Sequence, residues 1–178
     1  MTDSITPGAD GQANHTLAVL RGDTREGPLA SDIDFLPGFA LHADPALELS
    51  GSYVSPAGQI LELDAQMGIG PGGWIGLHLA LPAGDLRQAG ILGFAARISA
   101  PEIMVVRACL RSGTGDGFVD CFFDKHLLAR PEETSHLDTL SVHYRDRIPV
   151  QAPWRELVFF LPTQSFRLSL IDLRTFIV

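Results

Sequence analysis

Residues 74–81 read WIGLHLAL, and this stretch decides the fold class. Isoleucine or leucine stands at every second position from 75 to 81, while Trp74, a glycine, His78 and an alanine fill the positions between them. Successive side chains of a β-strand point to opposite faces of the sheet, so the alternation predicts a strand with one face in a hydrophobic core.

A second stretch, LVFFL at residues 157–161, is apolar at every position. A strand that is apolar on both faces is typical of the inside of a sheet that is covered on both sides. We therefore expect residues 157–161 to form a central strand of a sandwich.

The rest of the chain consists of short apolar segments separated by Gly, Pro and Asp, and none of them keeps a helical period for three turns. Two stretches have the composition of a helical turn, residues 84–89 and 131–137. The predicted fold is all-β, a two-sheet β-sandwich of jelly-roll type with about ten strands and little helix. The predicted strands are residues 38–42, 46–54, 59–65, 73–81, 91–99, 102–111, 117–124, 138–145, 155–161 and 165–177.

The length of 178 residues predicts one sandwich domain, over residues 31–178. Residues 1–30 are rich in Gly, Asp, Thr and Ala, and their one apolar cluster is LAVL at 17–20. We expect this segment to be a flexible or loosely packed lead-in.

The charge excludes one class of partner. With 13 Lys and Arg against 21 Asp and Glu, the net charge of -8 repels a phosphate backbone, so nucleic acid is not an expected partner. No apolar run approaches the roughly 20 residues that span a bilayer, and the N-terminal residues lack the pattern of a secretory signal. The expectations are that the protein does not enter a membrane and is cytoplasmic.

Two cysteines, Cys109 and Cys121, are too few for a disulfide scaffold or a four-cysteine zinc site. We expect both to be buried thiols. They flank a predicted turn at residues 112–117, so a disulfide across that hairpin is the alternative.

The C-terminal stretches WRELVFFLP at 154–162 and FRLSLIDLR at 166–174 resemble the closing strands of galactose-binding-like carbohydrate-binding modules. The middle stretches GFAARI at 93–98, VVRACLR at 105–111 and GFVD at 117–120 are similar to that family's paired core strands, and the likeness spans about residues 46–178. The matching positions are mostly core positions, which report packing rather than function.

The resemblance implies a non-catalytic module that holds a saccharide on a concave sheet face or at loop tips, often beside a structural calcium ion. Asp172 matches the family's frequent calcium ligand, although Leu173 replaces the usual second Asp. The alternative for Asp172 is a carboxylate bonded to neighbouring backbone at a β-bulge, which the adjacent apolar residues Leu170 and Ile171 favour.

Saccharide binding needs an aromatic platform and a few oriented polar groups. Trp74 is the first candidate platform, with core packing as the alternative, and Trp154 is a weaker one. Polar residues out of phase inside strands either line a cleft or lie on a solvated face. These residues are His78, Arg97, Arg107, Asp120, His143 and Arg167, and all but Arg167 join Trp74 as predicted ligand-binding residues.

No catalytic motif is present: the six histidines are spread singly, and the sequence contains no nucleophile elbow, metal-binding His motif or phosphate-binding glycine loop. We therefore predict no catalytic residues and no cofactor apart from the calcium that the resemblance implies. The leading hypothesis is a carbohydrate-binding-like recognition module whose partner is a saccharide or polysaccharide. The alternatives are a cytoplasmic protein-interaction or regulatory domain without saccharide binding, with a protein partner or a homo-oligomer, and a small jelly-roll enzyme.

Overall fold

A computed structural model describes residues 8–178. These residues form one α-helix, α1 (Ala9–Gly22), two short 3-10 helices (Pro45–Leu47 and Val142–Tyr144) and twelve strands. The strands are β1 (Arg25–Pro28), β2 (Asp32–Leu36), β3 (Phe39–Ala43), β4 (Ser50–Ser55), β5 (Leu61–Gln66), β6 (Ile75–Ala80), β7 (Ile91–Ser99), β8 (Met104–Thr114), β9 (Gly117–Ala129), β10 (Thr134–Ser141), β11 (Arg155–Phe160) and β12 (Phe166–Ile177).

The strands form two antiparallel sheets of six. Sheet 1 has the order β1-β4-β5-β12-β7-β10, and sheet 2 has the order β2-β3-β6-β11-β8-β9. Their facing sides share one hydrophobic core, which includes Leu77, Phe94, Leu110 and Phe159. The predicted all-β jelly-roll sandwich is confirmed.

The strand predictions differ from the structure mainly at the N-terminal side. The structure adds β1 and β2, which are only four and five residues long. It also forms 3-10 helices where the predicted strands 46–54 begin and 138–145 end. Neither residues 84–89 nor residues 131–137 hold a helix, because the first stretch contains a single tight turn and the second leads into β10.

Strand β11 lies inside sheet 2, between β6 and β8, as its apolar sequence predicts. Its first residue, Arg155, points into the sandwich and is only 2% exposed. The guanidinium donates to the carbonyls of Ala83 and Pro149 and to the hydroxyl of Ser112. A buried guanidinium without these acceptors would be costly, so Arg155 fixes two loops at this end of the sandwich.

The described part of the predicted lead-in is packed onto the sandwich, which corrects the prediction of a loosely packed segment. Helix α1 buries Ala13, Leu17 and Leu20 against the core, and the two leucines are no more than 1% exposed. These residues follow the i, i+4, i+7 spacing of one helix face. The apolar face is too narrow to stand out in a segment rich in small and polar residues.

Helix α1 also completes the hydrogen bonding of β12. Strand β5 pairs with β12 only as far as Leu170, so the remainder of that edge has no strand beside it. The side-chain amide of Asn14 takes the place of a strand there, since Nδ2 donates to the carbonyl of Thr175 (2.8 Å) and Oδ1 accepts from its N–H (2.9 Å). A backbone edge that would otherwise be unsatisfied is thus paired.

The predicted irregularity in β12 is present, because the register shifts between Leu170 and Asp172. The carboxylate of Asp172 accepts the N–H of Leu173 (2.9 Å) and forms an ion pair with Arg21 of α1. The bulge therefore creates a second attachment point for the helix.

We predict that Asn14→Asp destabilises the protein by about 1 to 3 kcal/mol, because a carboxylate has the same shape but cannot donate to the Thr175 carbonyl. Urea unfolding at neutral pH measures the change. Gln12→Glu, the same chemical substitution at an exposed position of the same helix, is the control and should change stability by less than about 0.5 kcal/mol. Equal effects of the two substitutions would contradict the role given to Asn14.

Candidate functional site

The side of sheet 2 that faces away from sheet 1 carries a set of aromatic and ionisable side chains. Inward residues of its strands belong to the core, so the alternating residues point away from sheet 1. The register aligns them in three rows, which are Ala40-His78-Val158-Cys109-Phe122, His42-Gly76-Phe160-Arg107-His126 and Ala80-Glu156-Arg111-Asp120. We call this set of residues the outer face.

Arg111 and Asp120 are directly opposite each other on β8 and β9. Two parallel hydrogen bonds of 2.8 Å join the guanidinium to the carboxylate. The arginine also stacks on Phe118, 3.9 Å from the ring centroid. Both charged side chains are mostly buried, and the hydrogen bonds that Arg111 donates to Asp120 raise the pKa of Arg111. The pair is a fixed part of the face rather than a mobile surface charge.

A second aromatic and cationic group spans the other two rows. Phe122 and Phe160 stack with centroids 5.9 Å apart, and Arg107 lies over Phe122 at 4.3 Å. Stacking holds a guanidinium by its face and leaves its N–H edges available to other acceptors. Arg107 is exposed and has no carboxylate within 4 Å among residues 8–178.

His78 is buried on the outer face at 6% exposure. Its Nδ1 donates to Glu156 (2.8 Å), and its ring lies edge-on to that of His42 at 4.8 Å. A Cβ at Gly76 would come within 3.1 Å of Nε2, so the missing side chain there makes room for the imidazole. The hydrogen bond from His78 lowers the pKa of Glu156 against the opposing effect of burial.

Val158 and Cys109, at the centre of the face, are fully buried although they point away from the core. The larger side chains of the neighbouring rows cover them. Burial, with a smaller contribution from the Asp120 carboxylate, raises the pKa of Cys109 to about 12. The outer face is therefore a packed layer with its own interior.

Two tryptophans stand at opposite ends of this layer. Trp74 directly precedes β6 at the Phe160 end and is 42% exposed. Trp154 directly precedes β11, is 41% exposed, and lies against Gly113, where an added Cβ would come within 2.5 Å of the indole. At roughly 3.3 Å per residue, the strand between Trp154 and Phe160 spans about 20 Å.

An open cleft of about 650 Å³ adjoins the Phe160 end. It lies between the segment around Pro101 to Ile103 and the segment from Leu161 to Ser165. Arg107 and Phe160 of the outer face line it, together with Arg167 of sheet 1. This volume is within the range of ligand sites.

No protein-family model matches the chain, and no curated protein is significantly similar to it in sequence. Among solved structures, the CBM22-1 xylan-binding domain from Paenibacillus barcinonensis aligns over 88% of this chain and 96% of its own, with a TM-score of 0.53 at 11% identity. The fold is that of the jelly-roll carbohydrate-binding modules.

Two further structures align less closely. The family 11 carbohydrate-binding module from Clostridium thermocellum has a TM-score of 0.49 at 12% identity and covers 84% of this chain and 94% of its own. The family GH12 endoglucanase 3 from Trichoderma harzianum has a TM-score of 0.49 at 9% identity and covers 88% and 98%.

Four of the six predicted ligand-binding residues lie together. His78, Arg107 and Asp120 belong to the outer face, and Trp74 borders it. Their assignment to ligand binding remains a prediction.

Arg97 and His143 do not share this surface, and their assignment to ligand binding also stays a prediction. Arg97 lies on β7 of sheet 1, 3.7 Å from Glu133, and His143 is exposed in the 3-10 turn after β10. The phase of a residue within its strand predicts that it leaves the core, but it does not predict which sheet carries it.

Three phenylalanines of this surface are not among the predicted binding residues, since only the two tryptophans are considered as platforms; they are Phe118, Phe122 and Phe160. The signal that reveals two of them is the doublets Phe122-Phe123 and Phe159-Phe160. Adjacent strand residues point to opposite faces, so one member of each doublet must leave the core.

The residues around Asp172 do not fit a calcium site. One carboxylate oxygen already serves Arg21 and the N–H of Leu173, and residues 8–178 contain no cluster of three or more His, Cys, Asp or Glu that suits a metal. Calcium prefers six to eight oxygen ligands. The alternative of a carboxylate bonded to neighbouring backbone at a bulge describes Asp172.

Both cysteines are free and buried, as expected. They cannot form the alternative disulfide in this arrangement, since Cys109 points to the outer face and Cys121 into the core. Within the described residues, no helix is long and apolar enough to cross a membrane.

We predict that Cys109 resists alkylation in the folded protein. At about pH 8 a thiol with a pKa of about 12 is roughly a thousandfold less ionised than an unperturbed cysteine. Iodoacetamide labelling followed by mass spectrometry, in a Cys121→Ala variant, measures the rate with and without urea. Equal rates in both conditions would show that the layer above Cys109 is open.

We predict that Glu156→Gln destabilises the protein by on the order of 1 kcal/mol near pH 7, because the hydrogen bond from His78 loses its charged acceptor. The pKa of Glu156 is lowered from 4.5, so this stabilisation is present above that value and is lost as the pH falls through the lowered pKa. Unfolding measured between about pH 7 and pH 3 tests the trend. Glu26→Gln, at an exposed position, is the control. A difference in stability between Glu156→Gln and wild type that stays constant with pH would contradict the expected trend.

Proposed function

We propose that this protein is a non-catalytic carbohydrate-binding module that holds a saccharide along the outer face of sheet 2. The observation that carries the proposal is the ordered layer of aromatic, arginine, histidine and carboxylate side chains with an exposed tryptophan at each end. A fold of this kind hosts many functions, so the side chains of the outer face, and not the fold, support this function.

The face suits the chemistry of a sugar. A pyranose presents C–H groups above and below its ring and hydroxyls around its rim, so it needs apolar surface beside hydrogen-bonding groups. Trp74 and Trp154 offer exposed apolar surface, and Arg107 offers free N–H groups. The likeness to a xylan-binding domain makes a β-linked polysaccharide the first class to test.

Sheet 1 is a weaker candidate. Two of its charged side chains are already paired, since Asp172 forms an ion pair with Arg21 of α1 and Arg97 lies 3.7 Å from Glu133. No aromatic and arginine layer like that of the outer face is found on sheet 1 among residues 8–178.

A binding role fits the carboxylates of the face better than a catalytic one. A glycosidase needs a carboxylic acid whose pKa is raised so that it can protonate the leaving group. The pKa of Glu156 is lowered instead, and Asp120 is held in a double hydrogen bond by Arg111. Neither carboxylate is placed to act as a general acid.

A second candidate function is binding of a protein partner. Val105 and Leu128 are opposite each other on β8 and β9 and are nearly half exposed, and Ile103 beside them is more exposed still. Apolar surface near a sheet edge is typical of an interaction site. Sedimentation of the protein alone tests the homo-oligomer form of this hypothesis, which a monomer at high concentration would contradict.

We predict that Trp74→Ala weakens saccharide binding about tenfold or more, because the exposed indole supplies stacking area that alanine lacks. A glycan array screened with wild-type protein identifies the ligand, and calorimetry measures the affinity of each variant. Tyr144→Ala is the matched control, since Tyr144 is an aromatic residue that is 90% exposed and outside the outer face.

Saccharide binding that Trp74→Ala and Trp154→Ala leave unchanged would move the site away from the outer face. A wild-type protein that binds no glycan, while it remains folded by circular dichroism, would overturn the proposed function itself.

A further inference from the structure

We propose that the cleft at the Phe160 end of the outer face recognises an anionic group on the saccharide, so that the ligand is an acidic polysaccharide containing uronic acids. The inference rests on the proposed function and names the substrate class for the same site. The inference is drawn from the positions of the exposed arginines that have no carboxylate partner among residues 8–178.

Most arginines of the chain are already neutralised. Within residues 8–178, which contain all twelve arginines, eight form ion pairs with Asp or Glu within 4 Å. Arg155 is buried among neutral acceptors. Among residues 8–178, the arginines that are exposed and lack a carboxylate partner are Arg107, Arg147 and Arg167.

Two of these three arginines line one cleft, although they belong to different sheets. Arg107 comes from β8 of sheet 2 and Arg167 from β12 of sheet 1. The protein carries a net charge of -8, so a site with two unneutralised guanidinium groups stands out from the surrounding surface. Exposed charges are screened beyond about 8 Å in physiological salt, which makes this local arrangement matter more than the net charge.

Both arginines have guanidinium N–H groups that are available to an anionic ligand. The stacking of Arg107 on Phe122 holds its guanidinium by the face and leaves its edge for a carboxylate. Arg167 is opposite Asp64 on the neighbouring strand, but the Asp64 carboxylate accepts from the side chain of Gln66 (2.8 Å) and does not pair with the arginine. A planar carboxylate matches the paired N–H groups of a guanidinium, whereas a neutral hydroxyl uses only one of them.

The other lining groups suit a sugar that carries a negative charge. The cleft has one acidic residue, Glu102, against its two arginines, and its remaining side chains are polar neutral or apolar. Phe160 and Phe166 supply apolar surface beside the charges. A volume of about 650 Å³ accommodates a short oligosaccharide segment.

The test compares polyuronates with their carboxyl-reduced, neutral forms. Polygalacturonate, alginate and glucuronoxylan are each titrated beside the reduced polymer, and dextran sulfate beside dextran separates a sulfate preference from a carboxylate preference. The variants are Arg107→Gln and Arg167→Gln. Arg147→Gln, which removes an exposed and unpaired arginine outside the cleft, is the matched control.

We expect at least one polyuronate to bind about tenfold or more tightly than its reduced form, and each cleft variant to remove most of that preference while Arg147→Gln keeps it. A folded protein that binds neutral and acidic forms equally would overturn this inference and leave the proposed function standing. The same loss in all three variants, or a preference for dextran sulfate alone, would also overturn it. Absence of binding to every saccharide would overturn both.

Discussion

Strand β11 is buried on both faces, and the rest of sheet 2 is arranged around that constraint. Leu157 and Phe159 fill the sandwich core, while Val158 is just as buried on the opposite side. Something must therefore cover the outer side of the sheet, and in the described structure the side chains of the neighbouring strands do so. Phe160, Phe122 and the arginines form this cover, which is why the outer face is ordered before any ligand arrives.

The inner charged side chains of this covering layer are partly buried, so each of them needs a partner that pairs with it. Burying an unpaired carboxylate or guanidinium costs more than most single interactions return, so the inner members of the layer pair with each other. Arg111 holds Asp120, and His78 holds Glu156. Only the rim is left with unused hydrogen-bonding capacity. The residues that stabilise the face and those best placed to bind a ligand are thus neighbouring but different sets.

The same need to pair buried polar groups explains two places where a strand shifts register. Where β12 shifts register, Asp172 accepts a backbone N–H and anchors Arg21 of α1. Where β9 shifts register against β8, Asp138, a buried residue on β10, accepts the N–H of Lys125 (2.9 Å). In both cases a carboxylate accepts a backbone N–H close to the register shift. A carboxylate with that task is poorly suited to bind a metal as well.

The sequence predicts features that depend on local periodicity, and it does not predict those that depend on pairing between distant strands. Alternation at residues 74–81 and apolar runs such as 157–161 depend on local periodicity, so the fold class, most strands and the bulge near Leu170 were within reach. The assembly of the site depends on register between strands distant in the chain: Arg111 meets Asp120 across a hairpin, but His78 meets Glu156 across 78 residues. Arg97 and Arg107 have the same pattern in the sequence and lie on different sheets. Single-strand patterns therefore identify the side chains that leave the core, and only the sheet order shows which of them share a face.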